Sequence, residues 1–341
     1  MTSLNKIKSL EFGRTVAMLA IIGLHCQLFT THTFYNDEPW LAYLFNQATR
    51  FAVPLFFLIS GYLIQPKLSK TPFETAKRYS LPLIRIWLVW SILSLLMPFN
   101  FAAVTENGYL TERTGYWNYL LTNPLNSVLE GGLVHLWFIP SLIMAVVIIA
   151  WSVRWNLSKW MIPVAAVLYI YGVLAGGYSA VSELEAPFFT RNGPFFSTLM
   201  VVIGYVVRER SISCSAKTAS LLALLGMTVH FAEAYGLHQY GQVFSNNDYL
   251  FGTALWGVGT FLLLLAKPNW GSAVWIQSFA DSVLGIYVSH LLVAVIVMNI
   301  SGMLQQNSWD RDITLFAGTT ILTLLLVKGI ERTSLRRILF R

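Results

Sequence analysis

The sequence alternates long apolar runs with short polar segments, and the length of these runs is the first clue to the fold. A helix needs about 20 mainly apolar residues to cross a bilayer, because each residue adds about 1.5 Å along the axis. Runs of this kind predict ten membrane-spanning helices, at residues 14–33, 41–65, 80–103, 134–153, 160–179, 194–208, 218–237, 250–266, 277–300 and 312–331. The pattern therefore predicts an all-α polytopic membrane protein.

The composition supports this fold class. The 341 residues are 55% hydrophobic and only 11% charged, whereas about a quarter of the residues are charged in an ordinary soluble domain. The mean hydropathy of the chain is +0.59. No small-residue cleavage site follows the first apolar run, so we expect no cleavable signal peptide. We expect one integral-membrane domain over residues 1–341.

Basic residues are distributed unequally between the alternate connections of a ten-span chain. All but four of the 23 Lys and Arg residues fall on one side of the membrane. The four on the other side are Arg50, Arg113, Arg191 and Arg311. Connections rich in Lys and Arg stay in the cytoplasm, so both termini are predicted to be cytoplasmic. The net charge of +7 follows from this asymmetry. It suits anionic membrane lipids and gives no reason to expect nucleic-acid binding.

The longest outward connection, at about residues 104–133, is rich in Asn, Thr, Tyr and Trp. We predict a loop there. Its aromatic and amide side chains suit stacking on sugar rings and bonding to hydroxyls, and they equally suit an ordinary interfacial belt. Both interpretations stay open.

Arg14 and His25 lie on the first apolar run with ten residues between them, and they are the strongest candidates for chemistry. Eleven helical steps bring a helix to within about 20° of its starting direction, so both side chains point the same way, about 16 Å apart. Ionisable groups at membrane depth are costly, which makes a functional role the default hypothesis. We interpret Arg14 as a phosphate anchor and His25 as a base, since an imidazole suits proton transfer near neutral pH.

Two further histidines are candidates for binding. His290 is expected at the depth of His25 on the ninth span, and His135 at the outer mouth of the fourth, with Trp137 beside it. Each imidazole could instead serve as a simple hydrogen-bonding group between helices.

Polar residues at the ends of the second and third spans complete the candidates. Arg50 either extends to the outer interface or binds an anionic acceptor group. Arg85 lies one to two turns inside the third span, where a guanidinium suits phosphate, whereas anchoring at the inner leaflet explains Arg78. Ser60 and Gly61 allow close approach of another helix or a ligand.

Several common classes of site do not occur in the sequence. It has no Walker loop, dinucleotide fingerprint, metalloprotease helix or serine-hydrolase elbow. Cys26 lies in a span and Cys214 in a polar loop, so we expect no disulfide, and we expect Cys26 to be a buried, inert thiol. No Cys/His cluster has the spacing of zinc ligands, and we expect no bound metal.

Four motifs together resemble the membrane-bound acyltransferase-3 family, in the order and within the ten-span frame of that family. They are the Arg14-to-His25 spacing, PLFFLISGYL at 54–63, HLWFIPSLI at 135–143 and LGIYVSHLLV at 284–293. The resemblance covers essentially the whole chain. Within the family, TRFAVPLFF at 49–57 is similar to the start of the second span in the enterobacterial common antigen O-acetyltransferase group.

The resemblance implies an O-acetyltransferase of the bacterial cytoplasmic (inner) membrane. Such an enzyme moves an acetyl group from cytoplasmic acetyl-CoA to a hydroxyl of a surface or lipid-linked saccharide, with acetyl-CoA as co-substrate and no bound cofactor. The resemblance implies a catalytic pair, His25 and Arg14. The residues that bind CoA would be Arg14, Arg85, Arg78 and Ser60. The residues that bind the acceptor would be Arg50, His135, Trp137 and His290.

The chain departs from the family pattern in two places. The basic cluster that usually follows the second span is spread out here as Lys77, Arg78 and Arg85. Some relatives also have an SGNH-type domain after the tenth span, whereas this sequence ends at Arg341, so we expect no appended domain of that type.

Two alternatives stay open. His25 either removes a proton from the acceptor or itself becomes acetylated and passes the group on. A proton-coupled secondary transporter of an anion or sugar is the alternative function, because intramembrane His and Arg residues and Gly/Pro-interrupted helices also suit carriers. Carboxylates within the spans are scarce, with Glu233 nearly alone, and the chain shows no matching halves. These observations favour the enzyme.

Overall fold

The computed structural model describes residues 7–33 and 35–340. No strand occurs within these two ranges, in agreement with the predicted all-α class. Lys6 and Arg341, which were counted among the basic residues of the two termini, lie outside the described residues.

Helices make up most of the described chain. In chain order, α1 to α18 are Lys8–His25, Trp40–Ala48, Ala52–Leu68, Pro72–Leu96, Phe101–Asn107, Tyr109–Thr122, Pro124–Glu130, Phe138–Arg154, Met161–Leu174, Ser179–Ser182, Pro194–Glu209, Ala216–Gln239, Phe251–Ala266, Val274–Asp281, Val283–Met303, Trp309–Ile313, Thr319–Glu331 and Arg336–Leu339. A 3₁₀ turn, Val134–Trp137, precedes α8, and a π-helix, Thr314–Gly318, joins α16 to α17.

Among the described residues, six helical stretches are long and apolar enough to cross a membrane, judged by length and composition. They fall on the second, third, fourth, seventh, ninth and tenth predicted spans, and are Trp40–Leu68, Pro72–Leu96, Val134–Arg154, Ala216–Gln239, Val283–Met303 and Trp309–Glu331. Two shorter apolar helices, Ser158–Leu174 and Phe251–Ala266, fall on the fifth and eighth predicted spans. The chain therefore has the character of a multi-pass membrane protein.

The first and sixth predicted spans correspond to α1 and α11. Helix α1 has 18 residues and carries three charged side chains, and α11 has only 16 residues, so neither is among the six stretches. Within the described part of the chain, six spans rather than ten meet the requirement of length and composition. The count of ten and the cytoplasmic location of both termini stay predictions.

The chain divides into two compact units. The first comprises the residues up to 20 together with 47–79 and 141–283, and the second comprises 21–46, 80–140 and 284–341.

Glycines allow close helix packing in the first unit. A Cβ added at Gly61 would collide with the backbone carbonyl of Val201, and one added at Gly204 would collide with the carbonyl of Leu58. Helices α3 and α11 therefore approach each other as closely as small residues allow. The close approach expected at Gly61 is made to another helix of the same chain.

In the second unit, the segment predicted as a loop over about 104–133 is helical instead, as α5, α6 and α7. The side chain of Asn100 accepts the Ala103 N–H and so caps the start of α5. Arg113 is fully buried and pairs with Glu112, whose carboxylate also accepts the N–H of Phe99. Asn100 thus provides a helix cap, and Glu112 and Arg113 form a buried ion pair within this helical segment.

Candidate functional site

The candidate site lies in the second unit, where His25 meets His290. His25 is the last residue of α1, and its Nδ1 lies 2.8 Å from Nε2 of His290 on α15. The two ring centroids are 5.0 Å apart. His290 is fully buried, whereas His25 is only half-buried. Two imidazoles are therefore held in direct hydrogen-bond contact, and His25 is the more accessible of the two.

The backbone around His290 fixes the protons of both neutral rings. Nδ1 of His290 lies 2.7 Å from the carbonyl oxygen of Tyr287 and 3.2 Å from that of Ile286. Carbonyl oxygens only accept, so Nδ1 must carry the proton and Nε2 must present its lone pair. The bond between the rings then requires His25 to donate from Nδ1. The lone pair of His25 consequently resides on Nε2, as a general base needs.

His135 completes a group that we call the three-histidine cluster: His25, His135 and His290. The centroid of the His135 ring lies 6.3 Å from that of His25 and 5.1 Å from that of His290. Nε2 of His135 lies 3.2 Å from the carbonyl of Val288 and donates to it, which leaves the lone pair on Nδ1. Nδ1 is buried and has no hydrogen-bond partner among the described residues. No group of three or more His, Cys, Asp or Glu in the described ranges is arranged to hold a metal ion.

Tyr287 supports the cluster from α15. Its hydroxyl donates to the backbone carbonyl of His135, and its ring packs against the His135 ring with centroids 5.5 Å apart. Tyr287 is thus linked both to His135 and, through its own carbonyl, to His290.

Arg14 lies on α1, the uninterrupted helix that ends at His25. Arg14 itself belongs to the first unit. Its Nη1 lies 2.9 Å from Oε2 of Glu11, so the guanidinium is already paired with a carboxylate one turn earlier. The Arg14 side chain is 26% exposed. Glu11 occupies only part of a guanidinium that has five N–H donors. An anionic ligand would therefore share the Arg14 guanidinium with Glu11 or displace that carboxylate.

The other residues expected near CoA are spread over both units. In the first unit, the Ser60 hydroxyl donates to the Phe56 carbonyl at 2.8 Å, and the exposed Arg78 pairs with Glu74. In the second unit, Arg85 donates to the carbonyl of Arg337 at 3.1 Å. The structure therefore does not gather these side chains within one unit.

Two residues expected near the acceptor, Arg50 and Trp137, have separate settings. In the first unit, Nη1 of Arg50 lies 3.0 Å from Oδ1 of Asp248, whose Oδ2 pairs with Arg191. Burial alone would raise the pKa of Asp248, but the guanidinium groups of Arg191 and Arg50 outweigh it and hold that pKa below its ordinary value. Trp137 lies in the 3₁₀ turn of His135, in the second unit, and its ring packs against that of Phe138.

A family profile of acyltransferase domains, Acyl_transf_3, matches residues 7–328. The chain belongs to this acyltransferase-3 family. The match includes all three members of the three-histidine cluster and both residues of the Arg14-to-His25 spacing.

Two curated relatives of this chain are named as racemases. An amino-acid racemase of Enterococcus faecalis is 25% identical over 315 residues, which cover 87% of this chain and 42% of the relative. A serine/alanine racemase of Enterococcus gallinarum is 26% identical over 260 residues, which cover 72% of this chain and 35% of the relative. The chain thus spans less than half the length of these relatives. No solved structure matches the chain.

The sequence indicated the three histidines singly but did not predict their contact. His25 and His290 are 265 positions apart, so only the tertiary fold brings them together. Tyr287 and Asp248 were missed altogether. Tyr287 precedes His290 by three residues, close to one helical turn, and this spacing within LGIYVSH was the available signal.

Proposed function

We propose that this acyltransferase moves an acetyl group from acetyl-CoA to a hydroxyl of a surface or lipid-linked saccharide, with His25 as the general base. The observation that carries the proposal is the 2.8 Å bond from Nδ1 of His25 to Nε2 of His290. It places a lone pair on the other nitrogen of a half-buried imidazole, in a chain that belongs to an acyltransferase family. The proposed location is the bacterial cytoplasmic (inner) membrane.

In the proposed reaction, Nε2 of His25 removes the proton of the acceptor hydroxyl as its oxygen attacks the thioester carbonyl. The carbon–sulfur bond then breaks, and the CoA sulfur leaves and takes up the proton that His25 holds. The products are an acetyl ester and free CoA thiol, so atoms and protons balance. Nε2 of His290 accepts the hydrogen bond from Nδ1–H of His25 throughout the reaction. This bond stabilises the imidazolium that forms, much as the carboxylate does in a Ser-His-Asp triad.

We assign the CoA phosphates to Arg14. Phosphate is a strong acceptor for a guanidinium, and it would compete with Glu11 for that side chain. The pantetheine arm would then follow α1 toward His25, over the rise of about 16 Å expected for eleven residues of helix. Arg85, Arg78 and Ser60 are further proposed CoA contacts. Arg50, His135 and Trp137 are proposed for the acceptor side, and His290 acts there through its bond to His25.

Two finer points belong to the same proposal. The similarity of TRFAVPLFF at 49–57 favours an acceptor of the enterobacterial common antigen type. A covalent relay through His25 differs from base catalysis in one observable: a relay forms acetyl-imidazole on the protein without any acceptor. Intact-mass spectrometry after brief mixing with acetyl-CoA alone distinguishes the two routes.

The test is thiol release from acetyl-CoA by the purified protein in detergent, with and without a membrane glycan extract. We expect acceptor-dependent release from the wild type, loss of that release in His25→Ala, and retention in His238→Ala, which changes a histidine of the first unit. Equal release from the wild type and His25→Ala would refute the role of His25. Absence of release and of acetyl-CoA binding in the wild type would favour a transporter.

A further inference from the structure

The turn that follows His25 carries a group of aromatic rings. Phe29 and His32 lie on this turn, and Trp309 opens α16. The centroids of His32 and Trp309 are 4.4 Å apart, with their planes at 37°, and Phe29 meets Trp309 edge-on at 5.6 Å. Trp309 is nevertheless 54% exposed. The rings of Phe29 and His32 thus pack against the indole of Trp309, while much of the surface of Trp309 stays exposed.

The turn itself is held in an uncommon backbone conformation. Gln27 has φ of 50° and Phe29 has φ of 66°, in the left-handed region that residues other than glycine seldom adopt. Two contacts hold it: the Phe29 N–H donates to Asp312 at 3.1 Å, and Arg311 donates to the Gln27 carbonyl at 3.2 Å. Such strain persists where the surrounding structure fixes it and is concentrated at functional sites.

Polar side chains lie on both segments that carry these rings. Nε2 of His32 lies 3.2 Å from Oδ2 of the buried Asp312, without the geometry of a hydrogen bond. Gln27 and Asp310 are exposed, and their side chains offer amide and carboxylate groups that bond to hydroxyls. An exposed ring beside such groups suits a ligand with both an apolar face and hydroxyls, which describes a sugar ring.

The turn is also close to the proposed base. Gln27 follows His25 by two residues, so their Cα atoms are at most about 8 Å apart, given about 3.8 Å per step. Arg311 bonds the Gln27 carbonyl, which keeps the start of α16 beside the same turn. All of these residues belong to the second unit.

We propose that Trp309, His32, Gln27 and Asp310 form a subsite that binds one sugar ring of the saccharide acceptor next to His25. This inference rests on the proposed function, since it names where that acceptor binds. Trp309 covers the C–H face of the ring, and Gln27 and Asp310 bond its hydroxyls. A tryptophan that served only as a membrane-interface anchor would need no histidine ring packed against it and no strained polar turn beside it.

The test measures binding without catalysis. A panel of methyl glycosides (glucoside, galactoside, N-acetylglucosaminide and rhamnoside) is titrated onto the protein in nanodiscs by saturation-transfer difference NMR. We expect at least one glycoside to bind the wild type, with the strongest signals on ring C–H protons. Trp309→Ala should weaken that binding about tenfold and Trp309→Phe less, because a smaller ring keeps part of the stacking. The matched control is Trp275→Ala, which changes a tryptophan of the first unit that is 64% exposed.

Two results would overturn the subsite: no glycoside of the panel binds the wild type, or Trp309→Ala and Trp309→Phe both bind as the wild type does. Glycoside binding in the absence of thiol release by the wild type would refute the acetyl-transfer chemistry while leaving the subsite in place. The two failures are therefore distinguishable.

Discussion

At the scale of single residues, the chemistry of His25 depends on the protons of its neighbours. The carbonyl of Tyr287 holds a proton on Nδ1 of His290, and the lone pair on the other nitrogen then orients His25. A base that is free to rotate or to change tautomer would spend part of its time with the wrong nitrogen toward the acceptor. We therefore regard His290 as a positioning residue for the proposed reaction.

Replacing His290 tests this role. His290→Phe removes the acceptor for the His25 Nδ1 proton, and we expect kcat to fall about 100-fold while KM for acetyl-CoA stays unchanged. His290→Gln supplies an amide oxygen as acceptor and should recover part of the loss. Steady-state thiol-release kinetics measure both variants beside His238→Phe. Equal loss in His290→Phe and His290→Gln would indicate a packing role only.

At the scale of helices, close contacts between backbones hold the first unit together. At Gly61 and Gly204 there is no room for a side chain, because each would meet a carbonyl of the opposite helix. The same unit uses Asp248 to join Arg50 and Arg191, which come from two other segments of the chain. Steric fit and charge therefore both act between elements that are distant in sequence.

Replacement by alanine should have opposite effects on stability at a glycine in a close helix contact, Gly204, and at a glycine that faces open space, Gly236. Gly204→Ala forces α3 and α11 apart and should destabilise the protein by about 1–3 kcal/mol. Gly236 has no atom within 4 Å of an added Cβ, so Gly236→Ala should stabilise α12 by up to about 1 kcal/mol. Thermal unfolding of the detergent-solubilised variants compares them, and a Gly204→Ala protein as stable as Gly236→Ala would disprove the close contact.

Asp248 gives a pH dependence whose sign follows from its lowered pKa. A carboxyl whose pKa is lower in the folded state stabilises that state above its unfolded pKa of about 3.9. That stabilisation disappears as the pH falls through the folded value. Asp248→Asn should cost about 1–3 kcal/mol at neutral pH and make the remaining stability less sensitive to acid below about pH 4. Unfolding midpoints measured from pH 3 to pH 7 check this, and parallel curves for variant and wild type would contradict it.

At the scale of the whole molecule, orientation in the membrane decides which side meets CoA and which meets the saccharide. The Lys and Arg distribution predicts that Cys214 lies in a cytoplasmic connection and that residue 107 faces outward. Cys214 is partly accessible, whereas Cys26 is buried. The native thiols therefore provide a topology probe with little background.

We expect a membrane-impermeant maleimide to label Asn107→Cys in intact cells. Native Cys214 should react only after the membrane is permeabilised. Mass spectrometry of the labelled peptides reads out both positions. Labelling of Cys214 in intact cells would reverse the predicted orientation, and with it the side from which acetyl-CoA enters.

The apolar runs of the sequence located the long helices because their signal is local. The sequence did not reveal the helices of residues 101–130, since the cap at Asn100 and the burial of Arg113 become visible only in the folded chain. The same limit applies to the candidate site. Arg14 and His25 share one helix, so their relation follows from spacing, whereas the contact of His25 with His290 depends on the tertiary fold.

The central claim is that His25 moves the proton in acetyl transfer to a saccharide. The most direct measurement is incorporation of isotope-labelled acetyl from acetyl-CoA into a membrane glycan extract by wild type, His25→Ala and His238→Ala. We predict labelled glycan from the wild type and His238→Ala, and a loss of at least about 100-fold in His25→Ala. Labelling of the glycan by His25→Ala at the wild-type rate would contradict the account.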